Sequence, residues 1–285
     1  MQKLLFVLSL TVLTAIFAFA QSSVWKITKG KNSIYIGGSV HALRMQDYPL
    51  PKEFDKAFEM SNITVFEANI SEVNDPAFMQ KIVQFMMLPN NKTLETVLNE
   101  KTYKLLEAKC KEIGIPIELM KNLTPFAITN MLMIIQMQKM DFTPQGVDAY
   151  HLEKAKKSKK RIEFLETMEF QTKLFYNFGM AGDDYVLQAI KDLDDLKEIV
   201  PSLIAQWRNG TSQITDTAEK EMREKFPNLY KTIIADRNKN WLVLIEDYLA
   251  TKDVEFIIVG LAHLHGSNGL LKSLKEKGYK IEYLK

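Results

Sequence analysis

Hydrophobic positions change their spacing several times along the chain, and each change marks an element. Val24-Trp25-Lys26-Ile27-Thr28 and Ser33-Ile34-Tyr35-Ile36-Gly37-Gly38 read as two strands joined by the turn Gly30-Lys31-Asn32. Residues 52–60 read as a helix, and Ile63-Thr64-Val65-Phe66-Glu67 as a short β-branched and aromatic strand. From about residue 75 to 140 the spacing turns helical. Phe78, Ile82, Phe85 and Met86 share one face, and Leu94, Val97 and Leu98 begin another helix behind Thr93. Residues 127–140 carry no charge before Lys139, which predicts a helix buried on most sides with its methionines packed in the core. Residues 146–160 read as a helix with a polar end, and Arg161-Ile162-Glu163-Phe164-Leu165-Glu166 as a β element of alternating polarity. Helices then run from Phe170 to about Tyr248, with breaks at Gly179 to Asp183 and at Gly210. Val254-Glu255-Phe256-Ile257-Ile258-Val259-Gly260 is the strongest strand signal, and a helix closed by Gly278 leads to a last strand at residues 280–284.

Strands thus stand at both ends of the chain and helices fill the middle. This predicts an α/β fold: a central mixed sheet built from N- and C-terminal strands, with a large α-helical insertion over about residues 75–140 and 168–250. No repeat or low-complexity linker divides residues 21–285, which are expected to form a single domain.

The first residues follow a different rule. Lys3 precedes the uncharged run Leu4 to Ala20, which ends in Ala18-Phe19-Ala20. A small residue at each end of that triplet is the pattern signal peptidase reads, so residues 1–20 are expected to be a signal peptide and the protein periplasmic or secreted, without a stable membrane span after cleavage. The whole chain is 46% hydrophobic, 10% aromatic and 25% charged with a formal charge of +2, an ordinary globular balance that argues against a nucleic-acid surface. The basic run Lys154, Lys156, Lys157, Lys159, Lys160 and Arg161 is expected to be a solvated helix face. Cys110 is the sole cysteine and sits among apolar helical neighbours, which predicts a buried thiol.

The candidate chemistry lies at strand ends. His41 follows Gly38-Ser39-Val40, and His263 follows Gly260-Leu261-Ala262, so each closes a strand with Gly-x-x-His. Glu67 closes the strand between them in sequence. Ligands of open α/β sheets bind outside the carboxyl ends of strands, and a glycine there lets backbone and ligand approach closely. Two imidazoles and a carboxylate suit a divalent ion such as Mn, Co, Zn or Fe, which can polarise a carbonyl and activate water. His265 shares a face with His263 if residues 263–265 are extended, which would make it a further ligand; in a turn it points elsewhere. His151, beside Glu153 and Lys154, reads as a surface residue.

The opening through Gly37-Gly38-Ser39-Val40-His41, then Glu67, Gly146-Val147-Asp148, Leu165-Glu166-Thr167, Asp236-Arg237-Asn238 and Gly260-Leu261-Ala262-His263-Leu264-His265-Gly266, resembles the TraB/GumN family over nearly the whole chain. The resemblance implies paired sheet halves with helical insertions, a fold shared with erythromycin-esterase-like and haem-binding ChaN-like proteins. It also implies kinship with the Tiki metalloproteases, which use two Gly-x-x-His motifs and a glutamate with Mn²⁺ or Co²⁺. Carried over, His41, His263 and Glu67 form the metal or catalytic set, and Asp148, Glu166, Arg237 and Asn238 line or buttress it. His265 stands where relatives carry an apolar residue, and the C-terminal membrane anchor of several relatives is absent from this sequence.

Two readings follow. The first is an exported metal-dependent hydrolase, a peptidase foremost, acting on a peptide or small molecule. In it Gly38, Gly260, Asp148 and Asn238 touch substrate and Arg237 steadies the oxyanion. If Glu67 is a ligand, Glu166 serves as base; if Glu67 is the base, His265 or Asp148 completes the coordination. The second is a non-catalytic binder of a peptide or haem-like ligand in the same cleft.

Overall fold

A computed structural model describes residues 22–178 and 182–285. The leader expected over residues 1–20 and the first part of the break expected at Gly179 to Asp183 lie outside them. Six strands form one sheet: β1 (Val24–Lys29), β2 (Asn32–Ser39), β3 (Ile63–Phe66), β4 (Arg161–Phe164), β5 (Glu255–Gly260) and β6 (Lys280–Tyr283), in the order β4-β3-β5-β2-β1-β6. β1 runs antiparallel to β2 and β6, whereas β2, β5, β3 and β4 are parallel neighbours. β5 is buried along its whole length, as expected of a central parallel strand covered on both faces.

Helices fill the two long connections. Between β2 and β4 lie α1 (Lys52–Met60), α2 (Pro76–Met86), α3 (Leu94–Val97), α4 (Glu100–Ile113), α5 (Pro125–Lys139) and α6 (Val147–Lys157). Between β4 and β5 lie α7 (Met168–Phe178), α8 (Asp183–Asn209), α9 (Gln213–Lys225), α10 (Pro227–Tyr230) and α11 (Asp236–Leu249), with α12 (Leu270–Glu276) leading into β6. Among the described residues no helix is long and apolar enough to cross a membrane. The main core wraps the sheet, and a second cluster, including Leu106, Cys110, Ile128, Leu132 and Val186, lies between α4, α5 and α8. Cys110 is buried there, and burial raises its thiol pKa to about 11, so it stays protonated.

Three readings of the pattern need correction. Helix α5 is buried on one face only, through Ile128, Thr129 and Leu132, and Ile134 is exposed. An uncharged helix here serves two neighbours, the second core and the cleft wall at Met137. The basic run is only partly a solvated face: Lys154 pairs with Asp55, and Lys160 donates to the carbonyls of Phe58 and Ser61 at the end of α1. His151 is fully buried, boxed by Phe54, Phe58, Tyr150 and Phe256. Its Nδ1 donates to Val147 O at 2.9 Å and its Nε2 has no partner. Glu153 is exposed, whereas Lys154 extends over the Phe58 ring that also covers His151, so the polar neighbours in sequence gave no sign of burial here.

Burial lowers the His151 pKa to about 4, so the native state holds the ring neutral. The unfolded chain takes up the proton near pH 6.5, and native stability is therefore lost as pH falls from 6.5 towards 4. In urea titrations at pH 7 and pH 4.5, His151→Phe should lose about 2 kcal/mol less than the parent across that interval. Equal losses in the two proteins would show that the ring does not titrate on unfolding.

Candidate functional site

The register of the parallel strands builds the site. Ser39 is paired with Gly260 across β2 and β5, and Phe66 with Ile258 across β3 and β5. The β3–β4 ladder continues one step further, Glu166 N donating to Glu67 O at 2.9 Å. Ser39, Gly260, Glu67 and Glu166 therefore lie in a row along the carboxyl edge of the sheet.

Glu67 is fixed at both oxygens. Oε1 accepts from Gly260 N at 2.6 Å; Oε2 accepts from Arg237 Nη2 at 2.6 Å and from Gln171 Nε2 at 3.2 Å. Burial alone would raise its pKa, but the charges of His263 once protonated, of Arg237 and of His41, and the Gly260 N–H, bring it down to about 2. Arg237 also binds Glu166, through Nη2 at 2.7 Å and Nε at 3.1 Å, and Trp241 Nε1 donates to Glu166 Oε2 at 3.0 Å. Arg237 is 8% exposed, and Glu67 and Glu166 hold its charge against the cost of burial.

His263 sits in a 3-10 turn, Leu261–His263, directly after β5. Asn238 donates from Nδ2 to His263 O at 2.9 Å and Asn268 O at 2.8 Å, which orients its amide and leaves Oδ1 as an acceptor. His263 Nδ1 lies 2.6 Å from that oxygen, so it carries the proton; Nε2 is the lone pair, and Arg237 Nη1 donates to it at 3.0 Å. Burial drives the ring pKa to about 3, which keeps it neutral. The Trp241 ring covers one side, its centroid 4.4 Å away.

His41 edges into the cleft. Its Nδ1 is 3.2 Å from Asp148 Oδ1, which also accepts from Ser39 Oγ at 2.5 Å. His41 stays largely open to solvent, and its bond to Asp148 with the charges of Asp148 and Glu67 raises its pKa to about 9. Asp148 reaches this position because α6 starts against the end of β2, with Val147 N donating to Val40 O. A Cβ on Gly146 would lie 2.2 Å from Val40 O, so only glycine allows that approach.

His41, Glu67 and His263 converge over Gly260. A Cβ placed there would lie 3.2 Å from Glu67 Oε1, 3.5 Å from His41 Nε2 and 3.6 Å from His263 Cδ2. Among the described residues no group of three or more His, Cys, Asp or Glu is set to hold a metal ion as it stands, consistent with Arg237 occupying the His263 lone pair. The row opens into a cleft of about 940 Å³, whose wall includes His41, Glu67, Asp148, Arg237, Gly260 and His263.

Other expected members lie elsewhere. His265 is carried away by the turn and packs edge-on against Trp25 at 5.5 Å, so the extended geometry needed for a ligand role is not present. Glu166 and Asn238 stand behind Arg237 and His263 and do not line the cleft. Gly38 faces Leu261 and Leu264, and its carbonyl accepts from Trp207 Nε1 at 2.8 Å. Sequence reasoning gave no role to Gln171 or to Ser39, although Ser39 stands inside the first Gly-x-x-His. It also gave no sign of the π-helical turn Lys231–Ala235, which precedes α11 and receives Arg237 Nη1 at Ile233 O, 3.1 Å away.

The sequence model of the TraB/PrgY/gumN family matches residues 23–283. The chain is 23% identical to the uncharacterized protein YbaP of Escherichia coli (strain K12) over 247 residues, 86% of this chain and 89% of that one. It is 20% identical to the metalloprotease TIKI2 of Danio rerio, covering 87% of this chain and 58% of the relative, and 21% identical to TIKI2 of Xenopus tropicalis, covering 92% and 60%. No solved structure matches.

The ion network yields a direct expectation. Arg237→Gln leaves two buried carboxylates facing each other without a cation and should destabilise the fold by about 3–5 kcal/mol in urea titration. A loss below about 1 kcal/mol would mean that the two acids do not depend on the guanidinium.

Proposed function

Because the chain belongs to the TraB/PrgY/gumN family, we propose that the polar row is the active centre of an exported metal-dependent hydrolase, with peptide bonds foremost among its targets. The observation that carries this reading is the convergence of His41, Glu67 and His263 on the open point over Gly260. The description of TIKI2 as a metalloprotease supports it at a distance.

The donor set fits a divalent ion. Glu67 Oε1 and His41 Nε2 face the shared point; an ion would displace the Nε2 proton of His41, and His263 Nε2 would become available if the guanidinium turned fully onto Glu67 and Glu166. His41, Glu67 and His263 would hold the ion; bound there, it would polarise a carbonyl and lower the pKa of a water molecule. His265 has no part in this set.

The protein's own groups divide the remaining work. A carboxylate with a pKa near 2 and both oxygens engaged is a poor base, which favours Glu67 as anionic ligand. Glu166, tied to Arg237 and Trp241, acts as a positioning residue. Asp148 keeps His41 Nδ1 protonated so that Nε2 faces the cleft. Arg237 presents positive charge at the wall where a carbonyl oxygen gains negative charge during attack by water. Asn238 fixes the His263 tautomer.

Metal analysis of the purified protein should find an equimolar divalent ion, and a peptide library should show turnover that chelation removes. His41→Ala, His263→Ala and Gly260→Val should each lower activity at least a hundredfold and lose the ion, and His265→Ala should keep both. Protein that takes up no Mn²⁺, Co²⁺, Zn²⁺ or Fe²⁺ at micromolar concentrations would remove this reading.

A further inference from the structure

Beyond the polar row the cleft is walled by aliphatic side chains on helices: Leu174 on α7, Ile199 and Leu203 on α8, Ile214 and Met222 on α9, and Ile233 in the π turn. Its volume, about 940 Å³, lies near the upper end of the range of roughly 300–1,000 Å³ typical of small-molecule clefts. Ile199 and Val73, both lining the cleft, are 43% and 39% exposed. Large aliphatic groups left wet on a concave wall are surface that a ligand covers with profit.

The construction of the wall selects the ligand. Backbone N–H and C=O groups inside a helix are spent on their own ladder. An extended peptide lying along α8 and α9 would leave its amides unpartnered at a cost for each, whereas a hydrocarbon chain needs no partners. Glu219 is the one charged lining residue, among those described, outside the polar row. It is turned onto Ser267 Oγ at 2.6 Å and Arg223 at 3.4 Å. Among the described lining residues nothing else charged interrupts the aliphatic path.

We propose that this cleft receives a long aliphatic acyl chain, with the carbonyl of the acyl group seated at Arg237 and His41. The substrate class is then an acyl ester or acyl amide; cleavage rests on the hydrolase reading above, and chain binding does not. In the hydrolytic step the oxygen of water bonds to the acyl carbon and the C–O or C–N bond breaks with its electron pair going to the leaving atom. That atom takes a proton derived from the water, and the products are a carboxylic acid and an alcohol or amine. No oxidant or reductant takes part.

Displacement of a fluorescent long-chain fatty acid from the full chain by saturated carboxylates of six to sixteen carbons tests the binding. Affinity should rise roughly fourfold per methylene until the chain fills the cleft. Ile199→Asn should weaken hexadecanoate at least tenfold, and Ile134→Asn, at an exposed position of α5 outside the cleft, should leave it unchanged. Because Ile199 is partly exposed, thermal melts should coincide for the parent and both variants. A flat chain-length series, or full hexadecanoate affinity in Ile199→Asn, overturns the proposal. The chain-length slope without hydrolysis of acyl esters or amides would sink the hydrolase reading and support this one. Turnover of short unacylated peptides with a flat series would do the reverse.

Discussion

One buried cation holds the carboxyl edge of the sheet together. Arg237 reaches Glu67 at the end of β3, Glu166 beyond β4 and His263 after β5, so three parallel strands present their polar ends to a single guanidinium. Two carboxylates this enclosed would otherwise repel each other. The planar fork of arginine can serve both acids and an imidazole at once; a lysine, a point charge on a flexible stem, cannot. Trp241 covers the assembly with the guanidinium carbon 4.5 Å from its ring centre, which keeps the charge from water without denying it a favourable neighbour.

Much of the fold was legible in the sequence because strands and helices impose different spacings. The mirrored Gly-x-x-His motifs were informative for a topological reason: β2 and β5 are parallel neighbours, so equal offsets from equal strand positions arrive at the same edge. What stayed hidden depends on contacts between distant elements. The two imidazoles alike in sequence context were set apart by their partners, Asp148 charging one and Asn238 keeping the other neutral. His265 was drawn off by a turn, and His151 was buried by aromatic residues from α1 and β5 that no local window contains. The π turn that aims Arg237 leaves no mark in hydrophobic spacing.

The cleft shows the same division of labour at larger scale. The sheet supplies the polar end, since its carboxyl edge offers backbone groups and charged side chains in fixed register. Helices α7, α8 and α9 supply the apolar walls, since their polar backbone is already satisfied. α8 is tied to the sheet through Trp207, which bonds Gly38 O by its indole and accepts Ser23 Oγ at its carbonyl. Wall and polar row are thereby held in one frame, and a ligand spanning both meets chemistry at one end only.

The strand order carries a consequence for biosynthesis. β2 pairs with β5, and β1 with β6, so the first strands made wait for the last ones before either can close. His41 and Glu67 leave the ribosome well before Arg237, His263 and β6. A truncated or still-growing chain therefore holds scattered acids and imidazoles with no cation to gather them. The assembled centre exists only once β5 and the turn after it have been made.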